Sequence, residues 1–209
     1  MILYDIAAIA AAYALGSISF AIVFSRLFRL ADPRSYGSGN PGATNVLRSG
    51  NKPAAILTLV FDALKGCTAV WLAEHYARRF GFSDLTIAAV AIAVFLGHLY
   101  PLWHRFQGGK GVATAIGILI AIDWQIALVA LGVFVVVAAL FRYVSLASLV
   151  AAIAATLAHA LSVGVDPQAL ALFVMTVLLI WRHRLNVSRL AKGTESKLGA
   201  SRRAAAGKP

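Results

Sequence analysis

Four polar segments carry the residues able to do chemistry in this chain. The first, residues 37–48, reads GSGNPGATNVLR: three glycines, Ser and Thr hydroxyls, two asparagines and a closing arginine. Glycine lets backbone N–H groups approach a ligand, and successive N–H groups form an anion-binding concavity. Arg48 adds a planar fork that matches phosphate oxygens. An ordinary turn-rich connection has the same composition, so both readings stand for this segment alone. The second segment, GHLYPLWHRFQGGKG (97–111), ends in a glycine–lysine loop just before an apolar run. The positive end of a helix starting there would favour an anion, and Lys110 adds a point charge. It is not a Walker loop, because His104 stands where the first glycine belongs and Gly111 where Ser or Thr belongs. The others are RYVSLAS (142–148) and RHRLNVSRLAKGTE (182–195). Cations, amides and hydroxyls with few carboxylates suit a phosphorylated ligand or a transition state carrying negative charge.

The elements that must position these groups are nearly all apolar. Of 209 residues, 60% are hydrophobic and 13% charged, and mean hydropathy is +0.81. That is the composition of a polytopic membrane protein. The net charge of +11 then marks cytoplasmic loops and contact with anionic membrane lipids, not nucleic acid. The one cysteine, Cys67, excludes an intrachain disulfide. No basic region precedes the first apolar run, which reads as a retained span and not a cleaved leader.

A helical crossing needs about 20 apolar residues. Runs at 3–25, 54–73, 85–102, 146–163 and 168–181 qualify or come close. The stretch 112–141 is too long for one crossing and is interrupted by Asp123-Trp124-Gln125. Dividing it into 112–122 and 124–141 gives seven transmembrane helices. Of the nineteen Lys and Arg residues, all but Arg78, Arg79 and Lys65 then fall on one face. A single long helix would abolish that bias. The positive-inside rule therefore selects an all-α, seven-span protein with the N-terminus outside, the C-terminus cytoplasmic and the four polar segments on the cytoplasmic side. A single membrane domain over 1–197 and a basic, disordered tail over 198–209 are expected.

Within the second span, Asp62 and Lys65 are three residues apart and should pair or face a polar cavity. Other chemistries lack support. There is no G-x-S-x-G elbow, no His followed by Asp at the H-x4-D spacing, and no cluster with metal-ligand spacing. No metal and no cofactor are expected.

The segments SGNPGATNVLR, GHLYPLWHRFQGGKGVAT and RHRLNVSRLAKGTE, with FDALKG and RYVSLAS, resemble the signatures of bacterial acyl-phosphate:glycerol-3-phosphate acyltransferases, the PlsY family. The resemblance runs over about residues 3–195. It departs at Leu185, where an acidic residue is expected. It implies seven spans in the bacterial inner membrane and transfer of an acyl group from acyl phosphate to the 1-hydroxyl of glycerol-3-phosphate. The products would be lysophosphatidic acid and phosphate, in the first acylation of phospholipid synthesis. It implies that Ser38, Arg48, Lys110, Ser145, His183 and Asn186 hold the phosphates. Gly39, Asn40, Gly42, Thr44, Asn45, Gly108 and Gly109 would shape a backbone cradle. It further implies a substrate-assisted route in which the acyl phosphate's own phosphate takes the hydroxyl proton. A monomer is expected. A transporter of a phosphorylated metabolite is the competing reading, and would place its site near the midplane with access to both faces.

Overall fold

The structure, a computed structural model, describes residues 2–199, so the tail expected to be disordered lies outside the described residues except for Leu198 and Gly199. Among these residues every regular element is a helix. In chain order they are α1 (Ile2–Gly16), α2 (Phe20–Leu27), α3 (Ala43–Leu47), α4 (Lys52–His75), α5 (Ala77–Phe80), α6 (Asp84–Leu99), α7 (Val112–Ile122), α8 (Trp124–Phe141), α9 (Val144–Ser162), α10 (Pro167–Arg182) and α11 (Arg184–Ala191).

Short polar residues set where the long helices begin. Asn51 accepts a hydrogen bond from the Ala54 amide, Ser83 from Thr86, Asp123 from Gln125 and Ile126, and Asp166 from Ala169. Such caps contribute about 1 kcal/mol each. Pro53 and Pro167 sit in the first turn, where their missing N–H has no helical partner to lose. Asp123 is therefore the device that separates α7 from α8.

Among the described residues four helices are long and apolar enough to cross a membrane: α4, α6 with the short turn Leu102–His104, α8 and α9. The first and last runs are bent pairs. α1 and α2 meet at 41°, and α10 and α11 at 58°; if each pair is one crossing the count reaches six. The run expected to be a single helix over 3–25 is thus interrupted at Ser17–Ser19, where the Ser17 hydroxyl donates back to the Tyr13 carbonyl. At 11 residues α7 spans only about 16 Å.

The reason α7 is short lies in the loop before it. The chain leaves α6 at Tyr100, turns through Arg105 and Phe106, both in the left-handed region, and doubles back. The Gly109 amide donates to the His98 carbonyl at 3.1 Å. Gly111 (φ +88°) lies against the Phe95 ring, a full turn inside the end of α6. α7 therefore begins within the bundle and not at its edge.

Packing between the helices relies on small residues. At Gly16 and Gly97 an added Cβ would overlap the backbone of the facing helix, which brings α1 and α6 into direct contact. Gly66 meets Thr114 and Gly117 meets Ala63 in the same way along α4 and α7. Close backbone approach of this kind drives helix association in lipid, where apolar burial provides no net force. The outward faces stay apolar: Leu128, Leu131, Val135, Val136 and Leu140 of α8 are all exposed.

Candidate active site

Lys110 is the centre of a connected polar group. Its ammonium donates to Asn186 Oδ1, and Asn186 Nδ2 donates to Glu195 Oε1. The same carboxylate accepts from Ser145 Oγ at 2.8 Å and from Arg189 Nε at 2.7 Å. Four segments of chain meet here: the loop before α7, the start of α9, α11, and the turn after α11. Leu198 holds that turn in place. Its amide donates to the Arg142 carbonyl at 2.6 Å, and its own carbonyl accepts from Arg142 Nη2 at 3.1 Å.

Burial shifts the protonation of this group. It pushes Lys110 down to about 8, with Glu195 opposing that shift and Arg189, Arg182 and Arg48 adding to it. Burial alone would raise the Glu195 carboxyl, but bonds from Arg189, Asn186 and Ser145 hold it below the usual carboxylate range. His183 is buried and pushed down to about 4, first by burial and then by the Lys110 charge. Its ring is therefore neutral at physiological pH. Nδ1 faces the Leu179 carbonyl at 2.8 Å, and a carbonyl only accepts, so Nδ1 carries the proton and Nε2 the lone pair.

Two other arginines in the basic segment are already engaged. Arg182 donates to the Gly108 and Gly109 carbonyls at 2.7 and 3.1 Å and lies over the Tyr100 ring. Arg184 stacks on Trp181. Arg182 thus shapes the glycine loop. The Gly109 amide is held by His98, so it is not free to meet a ligand.

The 37–48 loop approaches through Arg48, whose charge acts on Lys110. The loop's shape depends on Asn45, which is buried. Its Nδ2 donates to the Pro33 and Tyr36 carbonyls at 2.6 and 3.1 Å, and its Oδ1 accepts from the Ser38 amide at 3.0 Å. Gly37 (φ +61°) leaves room for that side chain and for Arg48. Ser38, Gly39 and Thr44 are exposed, Asn40 and Gly42 half-buried, and no hydrogen bond joins them to the Lys110 group. Asn45→Ala would strand three backbone partners. A loss of about 1–3 kcal/mol is expected, seen as a lower thermal midpoint and faster proteolysis between residues 33 and 48.

Sequence reasoning missed Glu195 as a site residue. It lies in a polar tail segment, and only tertiary contacts with α9 and α11 reveal it. Leu185, where an acidic residue was expected, is 63% exposed and leaves no gap in the cluster. Among the described residues no group of three or more His, Cys, Asp or Glu side chains is placed to hold a metal ion.

The glycerol-3-phosphate acyltransferase family model matches residues 6–193. The chain belongs to the glycerol-3-phosphate acyltransferase family. Family members from Ralstonia nicotianae and Cupriavidus taiwanensis are 58% and 59% identical over 193 residues, covering 92% of this chain and 93% and 96% of theirs. The fold is similar to crystal structures of PlsY (YgiH), an integral membrane glycerol 3-phosphate acyltransferase. The glycerol 3-phosphate form matches with TM-score 0.87 and 37% identity, covering 94% of this chain and 96% of that one. The lysophosphatidic acid form matches with TM-score 0.86 at the same identity and coverage. Like them, this member of the family is an all-helical integral membrane protein.

Proposed function

We propose that this member of the family transfers an acyl group from acyl phosphate to the 1-hydroxyl of glycerol-3-phosphate at the cytoplasmic face of a bacterial inner membrane. The convergence of Lys110, Ser145, His183, Asn186 and Arg48 on one rim carries the reading. Both substrates bring phosphate, one from the lipid and one from water, and a cationic pocket at the membrane edge is where they meet.

Lys110, Ser145 and Arg48 hold phosphate oxygens, with Ser38 at the mouth of the loop and Asn186 orienting the ammonium. His183 helps position glycerol-3-phosphate beside Lys110, leaving the attacking hydroxyl's proton to the phosphate. The hydroxyl oxygen bonds to the acyl carbon, the carbon–oxygen bond to phosphate breaks, and the hydroxyl proton passes to the departing phosphate. Lys110 offsets the charge that develops on that phosphate. Gly39, Asn40, Gly42, Thr44, Asn45, Gly108 and Gly109 define the shape of the pocket. The chain crosses seven times as a monomer, with the bent pair α1–α2 as the first crossing, α7 the short fourth and α10 the last. That count places the N-terminus outside, the C-terminus in the cytoplasm and the basic loops inside.

The test is to incubate the purified chain with acyl phosphate and glycerol-3-phosphate. Phosphate release that requires both substrates, together with lysophosphatidic acid, supports the reading. Acyl phosphate consumed without the acceptor, or acceptor carried into vesicles unmodified, overturns it.

A further inference from the structure

Among the buried charged or titratable side chains that take no part in that reaction, three lie together. Asp62 and Lys65 of α4 are 2.7 Å apart and almost wholly enclosed. His98 of α6 places Nδ1 3.5 Å from the same Asp62 oxygen. An unneeded ion pair this deep is costly, because each charge gives up water on entering the bundle. What the three groups touch indicates their purpose. Lys65 also donates to the Ile18 carbonyl at 2.8 Å, in the interruption between α1 and α2, with its ammonium over the Phe20 ring. His98 meets the glycine–lysine loop twice: its carbonyl accepts from the Gly109 amide, and its ring occupies the space a Cβ on Gly109 would need. Arg182 grips the other side of the same loop through the Gly108 and Gly109 carbonyls.

We infer that Asp62, Lys65 and His98 form a buried brace that fixes the position of Lys110. Asp62 orients the His98 ring, the ring seats Gly109, and Lys65 neutralises Asp62 while tying the assembly to the α1–α2 junction. None of the three touches substrate; they are positioning residues. The glycine at 109 is then required by the His98 ring and not by a ligand. The inference rests on Lys110 acting in the reaction as proposed above.

The experiment measures kcat and KM of purified full-length variants, with a thermal midpoint for each. A misplacement near 1 Å remote from the chemistry costs on the order of a hundredfold in rate. His98→Ala is expected to lower kcat about tenfold with KM within about twofold, and His98→Asn, which keeps a polar side chain facing Asp62, to recover most of it. Gly109→Ala should lose about a hundredfold. Gly109→Ala combined with His98→Ala should be no worse than Gly109→Ala, because removing the ring makes room for the methyl. Losses that multiply in the double variant, or full kcat in a folded His98→Ala protein, overturn the brace. Should His98→Ala not fold, the paired change Asp62→Asn with Lys65→Met removes both charges together. A folded pair variant with reduced kcat supports the inference, and one with full kcat ends it. A parallel Lys110→Ala measurement separates the two claims. If that variant keeps its rate the site reading fails, whereas the brace fails on His98 and the pair alone.

Discussion

Lys110→Ala is expected to lower turnover by on the order of 10²–10³-fold while the purified protein stays folded and keeps its thermal midpoint within a few degrees. Three facts argue for an effect that large and that selective. Lys110 lies in a loop, not in a helix interface. Its only side-chain hydrogen bond among the described residues is to Asn186. It is half-buried, in surroundings where a positive charge acts on a developing negative one with little screening. The same burial predicts a pH profile. With the ammonium as the active form and Lys110 near 8, the rate is flat below that pH and falls about tenfold per unit above it. Glu195 raises Lys110, so Glu195→Gln should move the alkaline limb to lower pH. A limb that stays fixed in Glu195→Gln, or a Lys110→Ala enzyme of near-normal rate, removes the ammonium from the chemistry.

Gly117→Val is expected to cost on the order of 3 kcal/mol or more, because the added side chain lands on a backbone carbonyl that has nowhere to go. A Cβ at Gly117 overlaps the Ala63 carbonyl across the α4–α7 contact. Flexible side chains can swing away from an intruding methyl; a helix backbone moves only as a unit. Gly132 of α8 is the matched control, with open space around its Cβ position. Gly132→Val should stay within about 0.5 kcal/mol of the parent. Folded yield in detergent and thermal midpoint read both. Equal behaviour of the two variants would mean that α4 and α7 do not pack through their glycines.

Much of this architecture is legible in the residues, and the gaps have physical causes. Asp123 announces the start of α8 because an N-cap is a local device, two or three residues long. The interruption at Ser17–Ser19 is not legible, because the group that satisfies the Ile18 carbonyl is Lys65, 47 residues away. The short α7 follows from a loop that folds back on α6, which no hydrophobic count can show. At the site, residue type alone marks Lys110, Ser145 and Asn186 as polar groups to watch. It does not separate an available cation from an engaged one. Arg182 and Arg48 look equivalent in the sequence, yet Arg182 is held by the Gly108 and Gly109 carbonyls. Nor does it give the protonation state of His183, which depends on burial and on the Leu179 carbonyl.

The clasp between Leu198 and Arg142 bears on how the protein is handled at the bench. Only two residues separate Leu198 from Glu195, whose carboxylate joins Ser145, Asn186 and Arg189. Shortening the gene upstream of codon 195 deletes that junction outright, and an affinity tag spliced directly after codon 195 would crowd it. Handles for purification belong at the opposite terminus, on α1, which packs on α6 and α4.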